Sequence, residues 1–180
     1  MSGLPGAGKK TFAQAIEARD IGYSCLPLER YLMPVPAHTT FMGWVSDFEC
    51  IDSRRLQLQL GELFAGQAVT TAPGVELAEP ARVADCPGVF VTPAALGFII
   101  PGTHAFSVRH DGVETVKVYV EVSDEALASR ERSRRGLRQT LGPYVDKLES
   151  LRQDADLVIR GDGMVEVQVD AFISFMDAGG

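Results

Sequence analysis

Short apolar runs and longer amphipathic stretches take turns along the whole chain. The apolar runs read as strands: residues 22–28, weakened by Pro27, then 89–91, 116–122 and 156–160. Stretches of helical period lie between them. Residues 11–18 can open a helix after a glycine-rich start. Leu56, Leu60, Leu63 and Phe64 share one helical face behind a start signal at Asp52 and Ser53, and Gly66 is the stop. Ser123 can cap a helix whose first turn carries Asp124 and Glu125, where negative charge suits the helix dipole. Leu141, Tyr144, Val145, Leu148 and Leu151 predict one face of a further helix, and the stretch reaching Met176 predicts another. Residues 33–36 form a proline-punctuated loop, and residues 69–86, rich in Pro, Gly and Ala, are expected to be irregular. Asp111 and Gly112, between residues 106–109 and 113–116, predict a hairpin, and residues 161–163 a turn. Such alternation favours an α/β domain with a mostly parallel sheet.

With 180 residues the chain is expected to be a single domain, 1–180, able to bury a full core without disulfides or a structural metal. A net charge of −7 argues against nonspecific binding to nucleic acid or anionic membranes, although a local basic pocket is compatible with it. Cys25, Cys50 and Cys86 are odd in number and far apart, with neither metal-ligand spacing nor a disulfide framework, which suits a reducing cytosol. No apolar run approaches the roughly 20 residues of a membrane span, and no charged-then-apolar leader opens the chain. The expectation is a cytoplasmic protein that partners neither nucleic acid nor membrane.

The strongest chemical signal comes first: Gly3, Leu4, Pro5, Gly6, Ala7, Gly8, Lys9, Lys10 and Thr11. A phosphate-binding loop needs glycine where the backbone curls tightly and brings its N–H groups close to an anion. The helix that follows adds the positive end of its dipole. A lysine after the last glycine, here Lys9, reaches the β and γ phosphates in such loops. Gly3, Gly6, Ala7, Gly8, Lys9, Lys10 and Thr11 are therefore the expected phosphate-binding residues. The full pattern places Ser or Thr directly after the lysine to hold Mg2+. Lys10 stands there, and Thr11 follows roughly 100° further around the helix. Thr11 is the candidate metal ligand, and Lys10 a second positive charge for the phosphates. A buried central strand precedes such loops; with only Met1 and Ser2 ahead of Gly3, that first strand is expected to be lacking. A glycine-rich tail that binds nothing is the other reading. The spacing of Gly3 and Gly8, followed by lysine and a helix, disfavours it.

Over Gly3 to Thr11 the chain resembles the uridine kinase and phosphoribulokinase family of P-loop kinases, and weaker likenesses follow in the family's order. Leu28, Glu29, Arg30 and Tyr31 are similar to its acidic-aromatic segment after the second strand. Residues 47–52 with the leucine-rich helix behind them resemble its substrate-side segment. Residues 119–125, the arginine cluster, Tyr144 with Val145, and residues 155–159 resemble its C-terminal half. The resemblance implies a three-layer P-loop NTPase-like fold with a mostly parallel sheet. It also implies ATP and Mg2+ as cofactors and transfer of the γ-phosphate to a nucleoside or sugar hydroxyl. In such chemistry positioning and charge neutralisation supply most of the acceleration, and a carboxylate accepts the hydroxyl proton. Glu29 matches that carboxylate, where the family has Asp, and is the candidate base beside Lys9. An exposed glutamate at a strand end is its other reading. The implied partner is a small-molecule phosphate acceptor, and a homo-oligomer is left open.

Arg130, Arg132, Arg134 and Arg135 lie in one helical stretch, and in the family a similar cluster belongs to a lid over the phosphates. Residues 130–138 are thus a lid-like segment. Arg134 and Arg135, beside Gly136, are its expected nucleotide contacts, because guanidinium groups bind phosphate oxygens bidentately. A solvated face paired with Glu131 is the alternative. The family's Glu-Gly after the strand at 89–91 is replaced by Thr92 and Pro93, and residues 73–85 lack the aromatic residues that grip a base. These departures, with Lys10, keep a catalytically impaired nucleotide-binding relative beside the active kinase, and a nucleoside monophosphate kinase as a third reading. His38, His104 and His110 are expected at the surface, and Trp44 and Phe48 suit a pocket or the core equally.

Overall fold

The structure, a computed structural model, describes residues 1–39, 43–44, 46–72, 74–78, 82–86, 88–130 and 134–179. In chain order the elements are helix α1 (Lys9–Ala18), strand β1 (Tyr23–Cys25), helix α2 (Ser53–Phe64), then strands β2 (Val69–Thr70), β3 (Gly74–Ala78), β4 (Arg82–Cys86), β5 (Phe90–Val91), β6 (Gly97–Ile99) and β7 (Val118–Glu121). Helices α3 (Asp124–Ser129), α4 (Arg134–Leu141) and α5 (Tyr144–Ser150), strand β8 (Leu157–Arg160) and helix α6 (Val165–Asp177) complete the order. Helix and strand are mixed, with β1–β6 and β7–β8 paired in parallel and β2–β5 and β3–β4 antiparallel, each as a two-stranded sheet. The chain forms two compact units, Met1–Asp20 with Pro101–Gly180, and Ile21–Ile100.

In the first unit β7 is the axis. Its Val118, Tyr119 and Val120 are buried, and it pairs with β8 from Val118 opposite Leu157 to Glu121 opposite Arg160. Its other edge is taken by Ser2. The Ser2 N–H donates to the Val118 carbonyl at 2.9 Å and the Ser2 carbonyl accepts from Val120 at 2.8 Å, a parallel bridge at Tyr119. Residues 1–4 are buried, and they join this edge of β7 through a single bridge. Helix α1 buries Phe12, Ala13 and Ile16, and Phe12 meets Phe172 of α6 edge-on with ring centroids 6.2 Å apart. Phe12 and Ile16 each contribute about 1.5–3 kcal/mol on full burial. The exposed Arg19–Asp170 pair adds at most about 1 kcal/mol, so packing decides where α1 lies.

Three expectations for this unit are corrected. Asp111 and Gly112 do make a turn, with the Val113 N–H donating to His110 at 3.2 Å, but none of residues 108–117 is in a strand and no hairpin forms. Ala105–Ser107 form a 3-10 turn instead, so the first arm of the expected hairpin is not extended. The helix expected across residues 141–151 is split: Leu141 ends α4, Gly142 and Pro143 intervene, and Leu151 opens a 3-10 turn after α5. Only Tyr144, Val145 and Leu148 are buried by α5. His104 is not at the surface but buried, against the hydroxyl of Tyr144 at 3.1 Å.

In the second unit α2 starts and stops as its sequence predicts. The Asp52 carboxylate accepts from the Arg55 N–H at 3.0 Å, Leu56, Leu60 and Leu63 are buried, and Gly66 follows the end. Phe64, though, is 44% exposed and lies edge-on to Phe98. Tyr31, in the 3-10 turn Leu28–Tyr31, donates to Gln59 of α2 at 2.7 Å, and Gln59 donates to the Thr70 carbonyl at 3.0 Å. Burial pushes the Tyr31 hydroxyl up to about 12, Arg55 opposing and Glu62 adding.

The stretch 69–86 is not irregular: β3 and β4 form an antiparallel pair from Gly74 opposite Cys86 to Ala78 opposite Arg82. The short strand expected at 89–91 is half-buried, with Val91 in the core and Phe90 66% exposed. Trp44 is buried, and the Phe48 and Cys86 side chains lie outside the described part. Cys25 and Cys50 are buried, and burial, with Asp47 adding, pushes the Cys50 thiol up to about 11.

Candidate functional site

The chain leaves Ser2, at the buried bridge, and turns at once. At Gly3, with φ +142°, a side chain would collide with the Val120 carbonyl of β7, so only glycine passes so close to the sheet. Leu4 is buried, and its carbonyl accepts from the Ala7 N–H at 3.1 Å to close the loop. Gly6 and Gly8 both take positive φ, 84° and 91°, and Gly8 is the N-cap of α1. The first i to i−4 bond of α1 runs from Phe12 to Gly8 at 2.9 Å. The first-turn N–H groups of Lys9, Lys10 and Thr11 lie at the positive end of the helix dipole.

The first turn of this helix carries positive side chains, Lys9 and Lys10, and no negative one, at the positive end of the dipole. Cations there are unfavourable by a few tenths to about 1 kcal/mol, a strain that a bound anion removes. Lys9 folds back over the loop, its Nζ donating to the Gly3 carbonyl at 2.9 Å and the Leu4 carbonyl at 2.8 Å. Lys9 and Lys10 are half-buried and Thr11 is exposed on the first turn.

The turn after β8 packs behind the loop. Gly161 is buried, and a side chain there would strike the Ala7 carbonyl. Arg130, at the C-terminal end of α3, donates to Gly6 at 2.5 Å and to Gly161 at 2.8 Å. Beside this turn Glu121, Val122, Ser123, Arg160 and Asp162 line a cleft of about 270 Å³ at the C-terminal ends of the two parallel strands. Burial alone would raise the Asp162 carboxyl, but bonds from Ser123, Arg160 and its own N–H, with the Arg160 charge, hold it below its ordinary value. Glu121 is paired with Arg152 at 2.9 Å.

The residues singled out in the sequence therefore separate. Gly3, Gly6, Ala7, Gly8, Lys9, Lys10 and Thr11 form one loop and helix start. Glu29 belongs to the second unit, half-buried in the turn Leu28–Tyr31. Arg134 opens α4 and Arg135 is exposed on it, whereas Arg138 pairs with Asp146 at 3.0 Å and Glu149 at 3.2 Å. Arg132 and Glu131 lie outside the described residues. Thr92 and Pro93 are exposed after β5. Among the described arginines the one joined to the loop is Arg130, which sequence reasoning placed in the cluster but ranked behind Arg134 and Arg135. The signal missed was its position directly after a capped helix that follows β7. Gly161 and Asp162 lie in the turn that the sequence predicts, and the packing of Gly161 on the loop has no sequence signal. No protein-family model matches the chain, and no curated protein matches it significantly.

Proposed function

We propose that residues 3–11 bind the phosphates of ATP, and that the chain is a kinase-like P-loop protein of the uridine kinase and phosphoribulokinase type with a three-layer P-loop fold. One observation carries this reading: a buried parallel bridge, a loop with positive φ at Gly3, Gly6 and Gly8, and a helix starting at Lys9 follow one another without interruption. That order aims the first-turn N–H groups and the dipole of α1 at one place, where an anion is favoured. The residues fit phosphate in charge as well, since Lys9 and Lys10 bring positive charge and the first turn has no acid to compete. Mg2+ keeps water and phosphate oxygens as ligands, so the Thr11 hydroxyl is the protein's contribution to it. ATP supplies the transferable phosphoryl group. Lys9 and the loop N–H groups hold and neutralise it, Arg134 and Arg135 add charge from α4, and Glu29 accepts the proton of a nucleoside or sugar hydroxyl. A cytoplasmic location, the small-molecule acceptor and a homo-oligomer belong to the same proposal.

A second reading, a nucleotide-binding relative with impaired transfer, is favoured by Lys10 at the place of the metal-binding hydroxyl and by Thr92 and Pro93 in place of the family's Glu-Gly. The two readings share the loop and differ in turnover. Calorimetric titration of ATP, with and without Mg2+, into the chain and Lys9→Ala tests the loop. Loss of charge-assisted bonds of about 1.5–3 kcal/mol predicts a fall of roughly tenfold or more in affinity. Equal affinity would refute the assignment. Turnover of ATP with nucleosides or sugars, abolished by Glu29→Gln with binding intact, would select the active kinase; no turnover with Lys9-dependent binding would select the impaired relative.

A further inference from the structure

We infer that Arg130 is a positioning residue that clasps the glycine loop to the turn after β8 and holds the loop in its anion-binding shape before any ligand arrives. The inference rests on the reading of residues 3–11 as a phosphate site. Arg130 follows the last turn of α3, with its N–H donating to the Leu127 carbonyl at 3.1 Å. Its side chain is exposed, yet both ends of the guanidinium are engaged on segments far apart in sequence. Nη1 donates to Gly6 at 2.5 Å and Nη2 to Gly161 at 2.8 Å. A planar fork can hold two acceptors in fixed geometry, which the point charge of a lysine cannot.

Gly161 is itself wedged. A Cβ on it would meet the Ala7 carbonyl and lie 2.8 Å from Cγ1 of Val120, and its N–H donates to Glu121 at 2.6 Å. At the opposite end of α3, Ser123 caps the helix by accepting from Ala126 at 3.2 Å, and in the turn itself Arg160 pairs with the Asp162 carboxylate at 3.4 Å. Helix α3 is thus fixed at its start by Ser123 and joined to the turn after β8 at its end by Arg130. Across the loop Lys9 holds the Gly3 and Leu4 carbonyls. Two cations therefore fix the loop's carbonyls from two sides. Because the donors of Arg130 go to backbone oxygens, it acts on an anion through the loop and is a positioning rather than a catalytic residue.

The test is hydrogen–deuterium exchange of ligand-free protein over residues 3–11, comparing the chain with Arg130→Met and Arg130→Lys, and using α6 as the reference for an intact fold. Loss of a charge-assisted pair predicts that both variants exchange about tenfold faster at residues 6–8, with α6 unchanged. Inorganic tripolyphosphate should bind both variants about tenfold more weakly. If Arg130 served only as a charge beside the phosphates, Arg130→Lys would keep exchange and affinity near those of the parent, and the clasp would be overturned. Exchange of Arg130→Met within about twofold of the parent, or equal loosening of α6, would overturn it as well. Failure of the parent to bind tripolyphosphate would instead sink the phosphate reading, while the exchange result would still decide the clasp.

Discussion

Replacing Gly3 by alanine is the sharpest structural perturbation of the loop. The backbone at Gly3 has φ +142°, a region that side chains rarely adopt, and the new methyl group would overlap the Val120 carbonyl of the central strand. The obstacle is backbone, in a strand whose Val120 has no exposure, so no rotamer change relieves it. Conformational strain of about 1–3 kcal/mol and overpacking of about 1–3 kcal/mol combine to roughly 2–6 kcal/mol. For a chain of this size that lowers Tm by roughly 10 °C. The control is Gly61→Ala, in the interior of α2, where an added Cβ meets nothing within 4 Å and the backbone is already helical. That change should stabilise by about 0.5–1 kcal/mol. Thermal and urea denaturation followed by circular dichroism measure both. If Gly3→Ala came within about 1 kcal/mol of the parent, the close passage of the loop against β7 would be wrong, and with it the placement of the site.

Other predictions address groups held by defined partners. The Asp162 carboxyl lies below its ordinary value of 3.8, so its contribution is present above that pH and is lost as pH falls through the lower folded value. Acid denaturation curves of Asp162→Asn should accordingly be flatter below about pH 4 than those of the parent; superimposable curves would contradict this. Tyr31→Phe removes the bond to buried Gln59 and should destabilise by about 1–3 kcal/mol by urea titration. Because the Tyr31 hydroxyl is raised from 10.0 to about 12, the parent should lose stability as pH rises across that interval, and Tyr31→Phe should lose less.

Local physics made much of the fold legible in the sequence. Asp52 and Ser123 cap the helices they were expected to cap, because a short polar side chain satisfies the first-turn N–H groups wherever the helix packs. The glycine loop was legible for the same kind of reason: its glycines serve a backbone shape that the spacing itself announces. What was not legible depended on partners. The β3–β4 pair was hidden by the Pro, Gly and Ala content of residues 69–86, because composition does not show which positions a ladder uses. Asp111 and Gly112 looked like a hairpin because turn chemistry is local, whereas Ala105–Ser107 form a 3-10 turn with Ala105 and Phe106 buried. The break at Gly142 and Pro143 outweighed a continuous apolar period. Arg130 could not be ranked above Arg134 by composition, since its acceptors, Gly6 and Gly161, are brought to it only by the packing of β7, β8 and α3.

The central claim is that residues 3–11 are a phosphate site, and the most direct test is to follow their backbone amides by nuclear magnetic resonance while ATP is added. The account predicts saturable shifts concentrated at Gly6, Ala7, Gly8, Lys9, Lys10 and Thr11, and their loss in Lys9→Ala. Unchanged amides across the loop, or shifts confined to other parts of the chain, would contradict it.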